Sequence, residues 1–168
     1  PLEFEFLASP AQMRPNTAAA MPEVSADYKT FTFRIQPGIH FDNDPAFKGA
    51  KRELTAADYV YAIKRHYDPR WKSGNLYILE NAKILGLSEL RKKVLAARTP
   101  FPYDVEVDGL RELDRYRFEV RLAEPSPRFA DNFSAPQNTP GMAREAVEAY
   151  AADLMAHPVG TGPFRLVQ

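Results

Sequence analysis

Lys29-Thr30-Phe31-Thr32-Phe33-Arg34-Ile35 is the stretch that decides the fold. Phe31, Phe33 and Ile35 fall on one face and Thr30, Thr32 and Arg34 on the other, the two-residue period of a strand with one buried side. Pro37-Gly38 interrupts it, and Ile39 and Phe41 resume the apolar face. Downstream, residues 105–113 and 116–122 predict a hairpin turning at Asp114-Arg115, in which Tyr116, Phe118, Val120 and Leu122 alternate with charged residues. Upstream, residues 3–8 predict a short strand, and residues 9–22, rich in Pro, Ala and Asn, a loop.

Between the strands the period changes. Thr55 is a suitable N-cap with Asp58 three residues on, and Tyr59, Val60, Ile63 and Tyr67 recur at helical spacing until Asp68-Pro69 ends the run. Residues 87–97 and 143–156 predict two more helices and residues 127–133 a short one. Residues 75–82 are apolar without a decisive period, and residues 42–53 predict an exposed loop. Strands and helices mix without a βαβ rhythm, which implies an α+β fold with antiparallel hairpins. Phe31, Phe33, Phe41, Val60, Ile63, Phe118 and Val120 are the expected core.

Composition narrows the functional classes. The chain has 168 residues, enough for one domain, with 22 Lys+Arg against 22 Asp+Glu, and so lacks the overall positive charge typical of nucleic-acid binders. It has no cysteine, which excludes disulfides and thiolate metal sites. No apolar run is long enough to span a membrane as a helix. The chain opens on Pro1, and residues 164–167 start a strand near its end, as in a piece cut from a longer protein. His40, His66 and His157 have no ligand spacing; His40 with Asp42 and Asp44 reads better as a solvated loop than a metal site. His66, beside Lys64 and Arg65, is expected on an exposed helix surface. Arg65, Arg70, Trp71 and Lys72 read as a charged helix end with a packed indole rather than a nucleic-acid patch. Gly160-Thr161-Gly162-Pro163 is a turn into a strand, since Pro163 removes an N–H that a phosphate loop needs. No catalytic motif and no cofactor signature is present.

Three segments in order resemble one family. Ser25-Ala26-Asp27 with Lys29 to Ile35 and Pro37-Gly38-Ile39-His40-Phe41 is similar to its S-x-D-G-K-T-Y-T-F-x-L-x-x-G-V-x-F stretch. Glu53-Leu54-Thr55-Ala56-Ala57-Asp58-Tyr59-Val60-Tyr61 resembles its helix start, and Pro158-Val159-Gly160-Thr161-Gly162-Pro163-Phe164-Arg165-Leu166 its P-x-G-T-G-P-Y-x-L turn and strand. These are the extracellular solute-binding proteins, family 5, of peptide-type ABC transporters, which also include nickel binders. The acidic insertion at residues 42–49 resembles one bacterial subgroup. Tyr28 stands where the family usually has Gly, and a positive-φ turn tolerates Tyr poorly, so a different local turn is expected.

The resemblance implies a type II periplasmic-binding-protein-like fold. Residues 1–168 are then a partial first lobe: a smaller subdomain at about 23–157 with flanking strands of the lobe's main sheet, the second lobe being absent. It implies a monomeric, exported periplasmic protein that traps oligopeptide-like solute by hinge closure and docks on an inner-membrane ABC permease. No cofactor, metal, catalytic residue or nucleic acid is implied. Gly74-Asn75-Leu76-Tyr77 and Pro136-Gln137-Asn138 resemble the family's cleft-facing stretches, making Asn75, Tyr77 and Gln137 the expected ligand contacts. Gln137 stands where some relatives carry Arg, which argues against an anionic ligand group at that point. Two other readings stay open at this stage: an interaction or structural module sharing the subdomain fold, and a hydrolase with an unrecognised carboxylate pair.

Overall fold

The computed structural model describes residues 1–136, 138–151 and 153–164. Its centre is a four-stranded antiparallel sheet of order β3-β4-β6-β5, built from β3 (Glu23–Val24), β4 (Thr30–Arg34), β5 (Leu110–Asp114) and β6 (Arg117–Arg121). The register pairs Phe31 with Val120 and Phe33 with Phe118, so the apolar faces of the two central strands coincide. All four side chains are buried, while Arg34, Arg117 and Arg121 stay on the wet face. Phe33 stacks on Phe118 at 4.9 Å between ring centroids and lies 4.1 Å from Phe133. Aromatic rings this close add to the free energy of burial itself.

Helix α1 (Ala56–Tyr67) covers this face. Ala56, Tyr59, Ile63 and Tyr67 form its buried stripe, and Tyr59 stacks 5.5 Å from Phe118. The expected capping box is present: the Asp58 carboxylate accepts the Thr55 N–H at 2.7 Å. Asp58 is itself buried and gripped by Arg52 at 2.6 and 3.1 Å, and Arg52 also holds Glu145 at 2.9 Å. Two carboxylates that converge in space are therefore both engaged by one guanidinium. Lys64, also buried, satisfies its ammonium on the carbonyls of Tyr103 and Val105 at 2.7 and 2.8 Å.

Helices α2 (Leu76–Asn81) and α3 (Leu87–Ala97) pack beside α1. The undecided segment 75–82 is thus helical, with Leu79 as its buried anchor. Helix α4 (Arg144–Ala149) corrects the expectation of a helix over 143–156. It stops at Tyr150, whose hydroxyl donates to Asp44 at 2.9 Å and whose ring stacks on His157 at 4.4 Å. Those tertiary contacts outweigh the helical propensity of the alanine-rich continuation.

Other expectations change as well. The stretch 9–22 is not all loop: β2 (Gln12–Pro15) pairs antiparallel with β1 (Leu2–Glu5), and Arg14 binds Glu3 and Glu5. Pro15 is tolerated because the pair is a two-stranded edge arrangement. Strand β5 begins only at Leu110, not at residue 105. The loop 42–53 carries a 3-10 turn at Pro45–Phe47 whose Phe47 is buried against Phe41. Val60 is half-buried rather than central. Tyr28 adopts φ 54°, so the left-handed turn is kept despite the missing glycine. Ser25 and Asp27 hold it: Asp27 accepts the Lys29 N–H at 3.1 Å, and Ser25 Oγ accepts the Thr30 N–H at 2.9 Å.

Candidate functional site

The C-terminal turn of α1 brings the two expected cleft stretches together. His66 projects from it and is not exposed. Its Nδ1 lies 2.6 Å from Ser73 Oγ, which also accepts the Asn75 N–H at 3.2 Å. The same imidazole bonds the backbone of Asn138, and burial lowers its pKa. His66 therefore ties the strip containing Asn75 and Tyr77 to the loop containing residues 136 and 138. Asn75 is half-buried at the N-terminus of α2, and Tyr77, two residues further on, is 62% exposed. Gln137 lies outside the described residues, as does all but Phe164 of the strand expected over 164–167.

The loop over 134–142 is fixed against α1 from several sides. Thr139 is buried and donates its hydroxyl to Asn132 O at 3.1 Å. Met142 N–H donates to Asp58 O at 3.3 Å. Gly141 sits so close that a Cβ there would lie 2.6 Å from Leu54 Cδ1 and 3.2 Å from Tyr59 Cζ. Asn138 is buried, and its Oδ1 has no partner among the described residues. Below the loop opens a cleft of about 670 Å³, walled by Leu2, Tyr59, Phe133, Met142, Val147 and Val159 among others. Its lining is mainly apolar with a few polar groups, the usual character of a small-molecule site.

The other motifs have structural uses. Trp71 is sandwiched between Arg65 and Arg70, with guanidinium carbons 4.1 and 4.6 Å from its ring centroid, and its Nε1 donates to Tyr103 Oη at 3.0 Å. The Tyr103 hydroxyl donates in turn to Asp68 at 2.7 Å. The His40, Asp42 and Asp44 cluster is dispersed. His40 Nδ1 meets Gly38 O at 2.9 Å, and Asp44 caps the 3-10 turn by accepting the Ala46 N–H at 2.8 Å. Among the described residues no group of three or more His, Asp or Glu side chains stands where it could hold a metal. Gly160 O accepts the Asp42 N–H at 2.9 Å, which anchors the glycine-rich turn on the loop after β4.

Sequence reasoning missed His66 as the link between the loops and Arg65 as part of the cleft wall. A Lys-Arg-His run at a helix end reads as surface, and only the fold of 69–75 and 134–142 over that end buries it.

The chain is 26% identical to di/tripeptide-binding protein 1 of Pseudomonas aeruginosa over 84% of its own length and 24% of the relative's. It is 28% identical to the periplasmic oligopeptide-binding protein OppA of Salmonella typhimurium, over 86% of this chain and 24% of that one. It thus spans about a quarter of the length of these curated relatives. Among solved structures, the pheromone receptor PrgZ, whose mode of peptide binding is described, superposes with a TM-score of 0.71 and 25% identity, over 96% of this chain and 29% of that one. OppA of Haemophilus influenzae, in complex with the peptide RPPGFSPFR, shares the fold with a TM-score of 0.70 at 21% identity, over 94% of this chain and 28% of that one. The sequence model of bacterial extracellular solute-binding proteins, family 5, matches residues 12–168, and the chain belongs to that family.

Proposed function

We propose that this chain is part of one lobe of a binding protein that captures peptide-like solute in the periplasm for an ABC importer. Family membership over residues 12–168 is the observation that carries this reading. The relatives named for di/tripeptide and oligopeptide binding support peptides as the solute class. Residues 23–157 form the smaller subdomain, with the remainder as flanks. The separate β1–β2 pair and the exposed Phe6 and Leu7 support that division. The protein is monomeric and delivers its solute to inner-membrane permease subunits.

In this reading Asn75, Tyr77 and Gln137 touch the ligand. Asn and Gln offer both a donor and an acceptor to a peptide backbone, and Tyr adds a flat apolar face with a polar tip. Recognition residues on loops held by a rigid scaffold fit the tie that His66 makes between the two strips. A second lobe closing over them completes the enclosure, and ligand binding shifts the open–closed population.

The test is titration calorimetry on the parent polypeptide, at the relatives' full length, with alanine peptides of two to four residues. Saturable binding is expected there, whereas the 168-residue chain alone shows no micromolar affinity. Tight binding by the short chain would remove the need for a second lobe. Tyr77→Ala and Gln137→Ala weaken binding about tenfold, in line with the loss of one good contact. Tyr77→Ala leaves the melting temperature unchanged because that side chain is mostly exposed. Mass spectrometry of solute that co-purifies with the parent polypeptide identifies the natural ligand.

A further inference from the structure

His66 stands in a chain of hydrogen bonds that has a direction. The backbone of Asn138 bonds its ring in the sense that favours the proton, as a carbonyl accepting an imidazole N–H does. The nitrogen on Ser73 Oγ is Nδ1, at 2.6 Å, which leaves Nε2–H for that carbonyl. In the neutral ring Nδ1 is then an acceptor, and the Ser73 hydroxyl donates to it. Ser73 Oγ itself accepts the Asn75 N–H at 3.2 Å. The bonds therefore run one way, from Asn75 N–H through Ser73 and the imidazole to the carbonyl of Asn138. They join the start of α2 to a loop far away in sequence, and each link depends on the one before it.

A second proton reverses one link. The imidazolium donates from both nitrogens, so Nδ1–H points at a Ser73 Oγ that already accepts from Asn75. The Ser73 hydroxyl hydrogen loses its acceptor at a half-buried position, where an unmade hydrogen bond is costly. Burial and the charge of Arg65, the preceding residue of α1, both oppose the proton. The other ionisable groups of the surrounding elements do not offset this. Lys64 is taken up by two carbonyls, and Asp68 by the Tyr103 hydroxyl and the Arg70 N–H. Arg70 lies on Trp71, while Lys72, Tyr77 and Glu80 are exposed. Residues 134–142 include no titratable side chain.

We propose that His66 is a positioning residue for solute binding, holding the strip of Asn75 and Tyr77 in place only while its ring is neutral, so that protonation loosens the grip. The inference rests on the peptide-binding reading above and adds to it a regulation by pH. The grip is complete above about pH 6.5 and declines as pH falls through the ring's lower folded-state value. Linkage makes the effect reciprocal, since bound solute lowers the affinity of the ring for its second proton.

The experiment titrates tri-alanine into the parent polypeptide and its His66→Asn and Ser73→Ala variants, from about pH 7.5 to about pH 5, below the temperature at which each melts. Wild-type affinity is expected to fall about tenfold over that range, the worth of one hydrogen bond. His66→Asn cannot take up a proton; it binds more weakly at neutral pH and no longer responds to acid. The ionisation of the peptide cancels because every arm uses the same one, and His157, which also lines the cleft, is retained throughout. A wild type whose affinity does not change with pH, or a folded His66→Asn that keeps the wild-type decline, overturns the assignment while peptide binding stands. If His66→Asn does not fold, Ser73→Ala decides: a shallower decline supports the relay, and an unchanged one overturns it. Nitrogen NMR of the wild-type imidazole at about pH 8 needs no variant, and a proton on Nδ1 in place of Nε2 overturns the relay directly. Failure of tri-alanine and of its two- and four-residue analogues to bind wild type at any pH defeats the peptide reading itself, and this inference with it.

Discussion

The sheet-and-helix centre and the flanking surface around β1–β2 and residues 154–164 use the same kinds of side chain to opposite effect. In the centre Phe31, Phe33, Phe118, Phe129 and Phe133 are closed in on every side. At the flank Phe6, Leu7, Met155 and Phe164 are largely exposed, Leu7 at 95% and Met155 at 92%. The centre meets its own apolar demand through one register and one covering helix. The flank presents apolar side chains that no described residue covers, the pattern of a surface made for a partner or for more chain. The difference teaches that alternation and one covering helix bury the centre, whereas the flank's apolar side chains find no cover among the described residues.

That contrast can be broken by substitution. Phe33→Ala removes a ring packed between Phe118 and Phe133 and should cost about 4 kcal/mol in chemical denaturation. Met155→Ala at the flank should cost less than about 0.5 kcal/mol in the same measurement. Similar losses at both sites would erase the distinction. Asp58→Ala strips the α1 cap and leaves the half-buried Arg52 with Glu145 and the Glu53 carbonyl; a loss of about 3 kcal/mol is expected.

Two further changes sharpen the boundary between centre and loop. Gly141→Ala forces a methyl group towards Leu54 and Tyr59 and should cost about 1–2 kcal/mol. Because the loop must shift to accept it, ligand affinity in the parent polypeptide falls as well; unchanged affinity would detach this loop from the site. Tyr28→Gly relieves a left-handed tyrosine whose side chain is 47% exposed. A gain of about 0.5–1 kcal/mol is expected, the left-handed penalty less the added entropy of an unfolded glycine. A lower melting temperature would mean that the Tyr28 ring contributes more than its backbone costs.

The smallest effect is the pH response of His66. Burial holds its pKa below the ordinary 6.5, so the unfolded chain takes up the proton first as pH falls. Stability contributed by the neutral ring is complete above about pH 6.5 and declines as pH drops through the folded-state value. The melting temperature should therefore slope downward with acid in this window, and His66→Asn should flatten that slope. A slope that survives the substitution would assign it to another group.

What the sequence determined was everything governed by local periodicity and capping. Strand β4, the hairpin of β5 and β6, the ends of α1 and the span of α3 follow from spacing, since alternation and helical stripes commit a segment to one buried face wherever it lands. The family could also be read there, because its motifs sit in short contiguous runs. Only the tertiary structure decided which charged residues would be buried. Lys64, Arg65 and His66 look alike along the chain, yet one ends on two carbonyls, one on an indole and one between two loops. β2 and the early end of α4 belong to the same class, being set by Arg14 reaching Glu3 and Glu5 and by Tyr150 reaching Asp44 and His157. Such contacts join residues far apart in sequence, and their free energy exceeds the fractions of a kilocalorie per residue by which local propensities differ.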